Sequence, residues 1–282
     1  MNLNHTNYLK DNFNHMQTVY LYLNLLYNSH NKLKTEEKMF NNFNIDKRTL
    51  YIALAILAIY GLSGYLANPA EMLNLLISIP GILIAITFHE FAHAKTADIL
   101  GDDTPRYEGR LTLNPLNHID PIGFMLLLFA GFGWGKPVHV NPINYNRNMS
   151  MEKADAIVSI AGPVTNFILA ILFTIIYSLL YKFIGFTTNR IILIIMTMIN
   201  YTISINVALG VFNLLPLPPL DGSKVIKPLL PYKAKTWFET NEKVFYIVFI
   251  VLWITGLSGI IISPVIRVIS NGLFNLGNFI IR

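Results

Sequence analysis

The chain has 282 residues, of which 53% are hydrophobic and only 13% charged, with a formal net charge of +5 and no cysteine. This balance is too apolar for an ordinary soluble domain and predicts one polytopic membrane domain. It also excludes a disulfide framework and a thiolate metal site, so any metal must rest on His, Asp or Glu; the excess of Lys and Arg fits positively charged inner loops, and no aromatic-basic module points to nucleic acid.

Residues 1–48 are rich in Asn, Lys, Tyr and His, with one apolar run at 18–27 that is too short to span. They lack the pattern of a signal peptide and predict a flexible or interfacial tail, in which His5, His15 and His30 are solvated. The membrane domain is then expected over 49–282. A native start at Met39 is a further expectation, because what precedes it adds no recognisable element; peptides from residues 1–38 in native protein would end that idea.

Residues 50–66, preceded by Lys47 and Arg48, predict a first transmembrane helix with its N-terminus inside. After the turn-like Ala67-Asn68-Pro69-Ala70-Glu71, residues 73–100 predict a second, interrupted near Pro80-Gly81 and closed by Gly101. Residues 103–148 are polar and broken by Gly and Pro; their apolar core at 122–132 is too short to span. That stretch predicts a membrane-dipping loop or small β-sheet over a cavity, with His118 and His139 as loop histidines and not metal ligands. Further spans are expected at 157–183, 191–215 and 245–262, followed by an interfacial segment to Arg282. The fold class is therefore an all-α polytopic membrane protein of five to six transmembrane helices.

Within the second span, Ile86-Thr87-Phe88-His89-Glu90-Phe91-Ala92-His93-Ala94 carries an H-E-x-x-H motif. Ionisable groups at a helix centre in a bilayer cost at least ~2.5–3.5 kcal/mol each, so three within five residues require compensation. On a helix His89 and His93 are i and i+4 and leave the same face, as two ligands of one tetrahedral Zn²⁺ must. Glu90 lies beside the metal without being a ligand, placed to take a proton from the water that the metal acidifies to a pKa of ~7.

A third ligand must come from elsewhere, and charge bias selects it. If residues 103–148 crossed the membrane, Lys224, Lys227, Lys233, Lys235 and Lys243 would lie outside and Asp221 opposite His93. If they do not cross, those lysines lie inside with Lys95, Arg106, Arg110, Lys136, Arg147 and Lys153, and Asp221 returns to the face of the His pair. The second topology satisfies both conditions.

These residues resemble the intramembrane zinc metalloproteases of the site-2 protease type. The H-E-x-x-H helix is paired with Asn213-Leu214-Leu215-Pro216-Leu217-Pro218-Pro219-Leu220-Asp221-Gly222, and Gly109-Arg110-Leu111-Thr112-Leu113-Asn114-Pro115, Gly133-Trp134-Gly135-Lys136-Pro137-Val138 and Ala161-Gly162-Pro163-x-x-Asn166 are similar too. Ala92 stands where many members have Gly, and no stretch is long enough for the PDZ or CBS modules of some members. The resemblance, over residues 50–262, implies one zinc per chain on His89, His93 and Asp221. It also implies cleavage of another protein's transmembrane segment within the bilayer of the cell membrane, with the active site toward the cytoplasm. Glu90 would be the base, and Asn213 and Asn166 would donate to the oxyanion. A non-catalytic scaffold of the same fold and an ion-coupled transporter are the alternatives, the second disfavoured by the absence of an internal repeat. Substrate and oligomeric state are left open.

Overall fold

The computed structural model describes Ile56, Ile59 and residues 62–130, 135–255 and 257–282. The expected first span at 50–66 and the motif residues Gly133 and Trp134 thus lie largely or wholly outside the described residues. The chain divides into two units, Met1–Tyr60 and Gly61–Arg282, and the second carries the candidate site.

Besides the helical residues 62–67, this second unit contains α1 Pro69–Ile99, α2 Thr104–Tyr107, α3 Pro121–Ala130, α4 Met151–Ile184, α5 Arg190–Asn213, α6 Asp221–Ile226, α7 Tyr232–Thr240, α8 Glu242–Ile254 and α9 Leu257–Ile281. Four of them, α1, α4, α5 and α9, are long and apolar enough to cross a membrane. The all-α polytopic membrane class is what the composition predicts. Helix α1 begins at Pro69, earlier than the sequence pattern suggests. Asn68 is its N-cap, accepting from Ala70 N at 3.2 Å and donating to Glu71 Oε1 at 2.9 Å, and Pro69 takes the first position, where its missing N–H costs nothing. The helix continues through Pro80 and stops before Gly101, whose φ of +102° few other residues adopt. Helix α4 likewise starts ahead of its apolar run, at an N-cap formed by Ser150, and ends at Gly185.

Two further expectations are corrected. The segment read as a loop or small sheet contains the ten-residue helix α3, with a single antiparallel bridge, Ile119 to Gly135, as the β-structure among the described residues. Asp120 accepts from Gly123 N at 2.7 Å and Pro121 opens the helix, a cap-and-proline start that outweighs the surrounding Gly and Pro. At the C-terminal end, the span expected at 245–262 and the interfacial segment after it are instead α8, only 13 residues long, and the 25-residue α9. Pro264 does not end α9. Its ring deprives the Ile260 carbonyl of a helix bond, and the Ser263 hydroxyl donates to that carbonyl at 3.3 Å.

Helices α1, α4 and α5 pack against one another, and α9 lies on α4 and α5. Gly81 brings α1 up to the backbone of Thr202 on α5, and Gly210 receives the ring of Phe167 from α4. Ala170, Val207, Val211 and Leu273 form one buried apolar cluster between α4, α5 and α9; Ala97, Tyr145, Ala154 and Val158 form another where α1 meets α4. Outward-facing Ile171, Leu172, Ile194 and Ile195 are exposed, as lipid contact requires.

Candidate metal centre

Helix α1 carries His89 and His93 one turn apart, both buried, at 5% and 8% exposure. The route from α5 to α6 passes through Leu215-Pro216-Leu217-Pro218-Pro219-Leu220, with a cis peptide between Pro218 and Pro219, and presents Asp221 at the start of α6. Three ligand-type atoms converge. His89 Nε2 and His93 Nε2 are 3.0 Å apart, and Asp221 Oδ2 lies 3.1 Å from the first and 3.3 Å from the second. Among the described residues this is the one group of three such side chains close enough to hold a metal ion.

The imidazole orientations are fixed from behind. His93 Nδ1 faces the Val158 carbonyl at 2.7 Å, and a carbonyl can only accept, so Nδ1 carries the proton. His89 Nδ1 faces Asn166 Oδ1 at 2.7 Å. Asn166 is itself oriented by donating to the Ala85 carbonyl at 3.1 Å and to Asn206 Oδ1 at 2.9 Å; Asn206 donates in turn to the Thr202 carbonyl at 2.8 Å. With Nδ1 engaged behind it, each imidazole turns Nε2 toward the carboxylate, the nitrogen that offers a lone pair when it ligates a metal.

This donor set fits a metal ion. Asp221 Oδ2 is buried without a hydrogen bond, and two lone pairs and an anionic oxygen at these distances repel one another unless a cation lies among them. Tetrahedral ligands with bonds of ~2.0–2.1 Å are separated by about 3.3 Å, close to the three separations observed. Two nitrogens and one oxygen leave a fourth tetrahedral position open. Gly162 of α4 makes the room, since a Cβ there would lie 2.5 Å from His93 Nε2 and 2.7 Å from His89 Nε2.

The neighbouring groups are placed differently from one another. Glu90 Oε2 accepts from Val138 N at 3.0 Å, so its carboxylate faces the extended segment after α3. Asn213, the last residue of α5, donates to the Leu209 carbonyl at 3.1 Å, which uses one of its two amide hydrogens. Asn166 is fully buried with both amide hydrogens engaged, so the expected donation to an oxyanion is replaced by the orientation of His89. His118 bonds to the Thr112 carbonyl and His139 pairs with Glu108, both outside the convergent group. Asn206 and the Val158 carbonyl do not emerge from the sequence. Asn206 had a signal, an amide inside an apolar span; a backbone carbonyl has none.

An all-α membrane protein with a His-Glu-x-x-His helix and a converging carboxylate has the ligand set of a metallopeptidase. Comparison with known proteins gives the particular family. The profile of Peptidase family M50 matches residues 77–256. The candidate zinc metalloprotease YwhC of Bacillus subtilis is 38% identical over 191 residues, covering 66% of this chain and 84% of that protein. The candidate zinc metalloprotease Rip2 of Mycolicibacterium smegmatis is 30% identical over 183 residues, 63% of this chain and 66% of that one. The candidate zinc metalloprotease MJ0611 of Methanocaldococcus jannaschii is 28% identical over 185 residues, 62% of this chain and 81% of that one. No solved structure matches. The chain belongs to Peptidase family M50, in agreement with the resemblance to site-2 proteases.

Proposed function

We propose that this chain is a zinc-dependent intramembrane endopeptidase that cuts other membrane proteins in or near their transmembrane segments and so releases soluble fragments. The observation that carries this reading is the convergence of His89, His93 and Asp221 where α1, a helix long and apolar enough to span, meets α6. A peptidase site set among such helices suits substrates presented within the bilayer. The lysine- and arginine-rich segments flanking the site support an orientation toward the cytoplasmic face of the cell membrane.

In this reading His89, His93 and Asp221 hold one zinc. When bound, the zinc supplies Lewis-acid chemistry, bringing the pKa of water down to ~7 and polarising a carbonyl. Glu90 receives the proton of the attacking water. With Oε2 held by Val138 N–H, Oε1 is the oxygen that takes it and later returns it to the amine nitrogen as the C–N bond breaks. Asn213 donates its remaining amide hydrogen to the oxyanion. Asn166 and the Val158 carbonyl keep the imidazoles in the ligating tautomer.

The test is cleavage of a panel of single-span membrane proteins by the purified zinc-loaded chain beside Glu90→Gln. The reading expects cutting by the unmodified chain and zinc without cutting in the variant. A Glu90→Gln chain that cuts at the same rate would remove Glu90 from the mechanism.

A further inference from the structure

Asp102 is a carboxylate with no exposure at all, three residues beyond the end of α1. It has no basic side chain within ion-pairing distance among the described residues; four donors compensate it instead. Oδ1 accepts from Thr104 N at 3.1 Å, Thr104 Oγ1 at 2.6 Å and Asn144 Nδ2 at 2.9 Å, and Oδ2 accepts from Asn141 N at 2.6 Å. A buried charge so fully bonded is costly to move.

One of those donors, Asn141 N, ends the segment that reaches the catalytic carboxylate, and a second, Asn144 Nδ2, follows in the next turn. Residues 136–141 begin where Lys136 N bonds to the His118 carbonyl at 2.8 Å, pass Glu90 at Val138 N and arrive at Asp102 at Asn141 N. The strand rise carries Val138 to Asn141 over about 10 Å, and the helix rise carries Glu90 to Ile99 over about 13 Å, so the segment lies as a strap along the last turns of α1. Its far end is held again by Asn146 N on the Leu100 carbonyl at 2.6 Å and by the close packing of Asn146 on Gly101. Midway, His139 pairs with Glu108 at 2.8 Å.

We propose that Asp102 is a positioning residue for the peptidase reaction: through Asn141 and Asn144 it fixes the strap so that Val138 N–H stays on Glu90. The proposal rests on the intramembrane peptidase function and extends it to a residue outside the metal centre. Asp102 acts at a distance, on the orientation of the base and not on the metal.

Asp102→Asn is the discriminating variant. It keeps the volume, but an amide has one oxygen and one NH₂ and cannot accept on both sides as the carboxylate does. Measured on the zinc-loaded full chain in detergent, kcat should fall about 10- to 100-fold while KM stays within about twofold. Zinc content should be unchanged, and amide exchange should quicken in peptides covering 136–146 but not in those from α5. Thr104→Ala, which removes the hydroxyl bond to the same carboxylate and a long contact with Asn144 Nδ2 at 3.5 Å but leaves Asn141 N on Oδ2, should lower kcat less than Asp102→Asn does. Wild-type kcat and exchange in Asp102→Asn would overturn the proposal. If that variant sheds zinc or fails to fold, Asn144→Ala decides: faster strap exchange with zinc retained supports the proposal, and unchanged exchange overturns it. If the unmodified chain cuts no substrate, the proposed function fails, and the exchange comparison still decides whether Asp102 holds the strap on Glu90.

Discussion

Asn166 accepts the Nδ1 proton of His89 at 2.7 Å from a helix 77 residues further along the chain, and gives both of its own amide hydrogens to other acceptors. It acts on the metal centre by fixing a tautomer. Asn166→Ala should therefore lower zinc affinity about 10- to 100-fold, measured by competition with a chelator, while the helices persist. Zinc affinity equal to that of the unmodified chain would contradict this role.

Gly162 should be intolerant of the smallest side chain for a local reason. Alanine is a better helix former than glycine by roughly 1 kcal/mol, so Gly162→Ala should not weaken α4 itself. Its Cβ would nevertheless collide with both imidazoles. The expected result is loss of zinc and of cleavage with thermal unfolding near that of the zinc-free parent. Zinc analysis and a melting curve on one sample check both halves.

Gly222 follows Asp221 and faces a harder obstacle, because a Cβ there would run into the backbone carbonyls of Leu214 and Leu215. Gly222→Ala should cost about 1–3 kcal/mol and displace Asp221 from the His pair. Gly259→Ala meets nothing within 4 Å and should be silent in the same unfolding assay.

Metal removal should destabilise the fold as well as silence it, since the three ligands come from the far-separated segments α1 and α6. At a free zinc level of 100 times Kd, binding adds about 2.7 kcal/mol. Chelation should lower the unfolding midpoint, and readdition of zinc should restore it; a midpoint indifferent to both would count against a structural link between α1 and α6 through the metal.

Substrate helices present carbonyls that are already hydrogen-bonded, so attack requires local unwinding. Segments with Gly, Pro or Asn near the cut should be cleaved faster than uninterrupted poly-Leu helices of equal length. Equal rates in the same vesicles would show that unwinding does not limit cleavage.

Much of the site is legible in the residues. The i, i+4 spacing of His89 and His93 and the Gly101 stop follow from helix geometry, and Asp221 is a candidate because one topology meets charge bias and ligand convergence together. What escapes the sequence depends on partners far along the chain. Helix α3 is hidden in the sequence because glycines and prolines surround an apolar run too short to span, and the Asp120 cap shows only in the structure. The continuation of α9 past Pro264 has no signal in the sequence, and Asn166 reads as an oxyanion donor until Ala85, Asn206 and His89 are seen around it.

The most direct measurement is the zinc content of the purified chain beside Asp221→Ala, both prepared with excess zinc and then washed with a mild chelator. The account predicts about one zinc per unmodified chain and little in the variant, because two imidazoles alone hold the ion weakly. No zinc in the unmodified chain, or equal zinc in both, would contradict the metal centre on which the proposed chemistry depends.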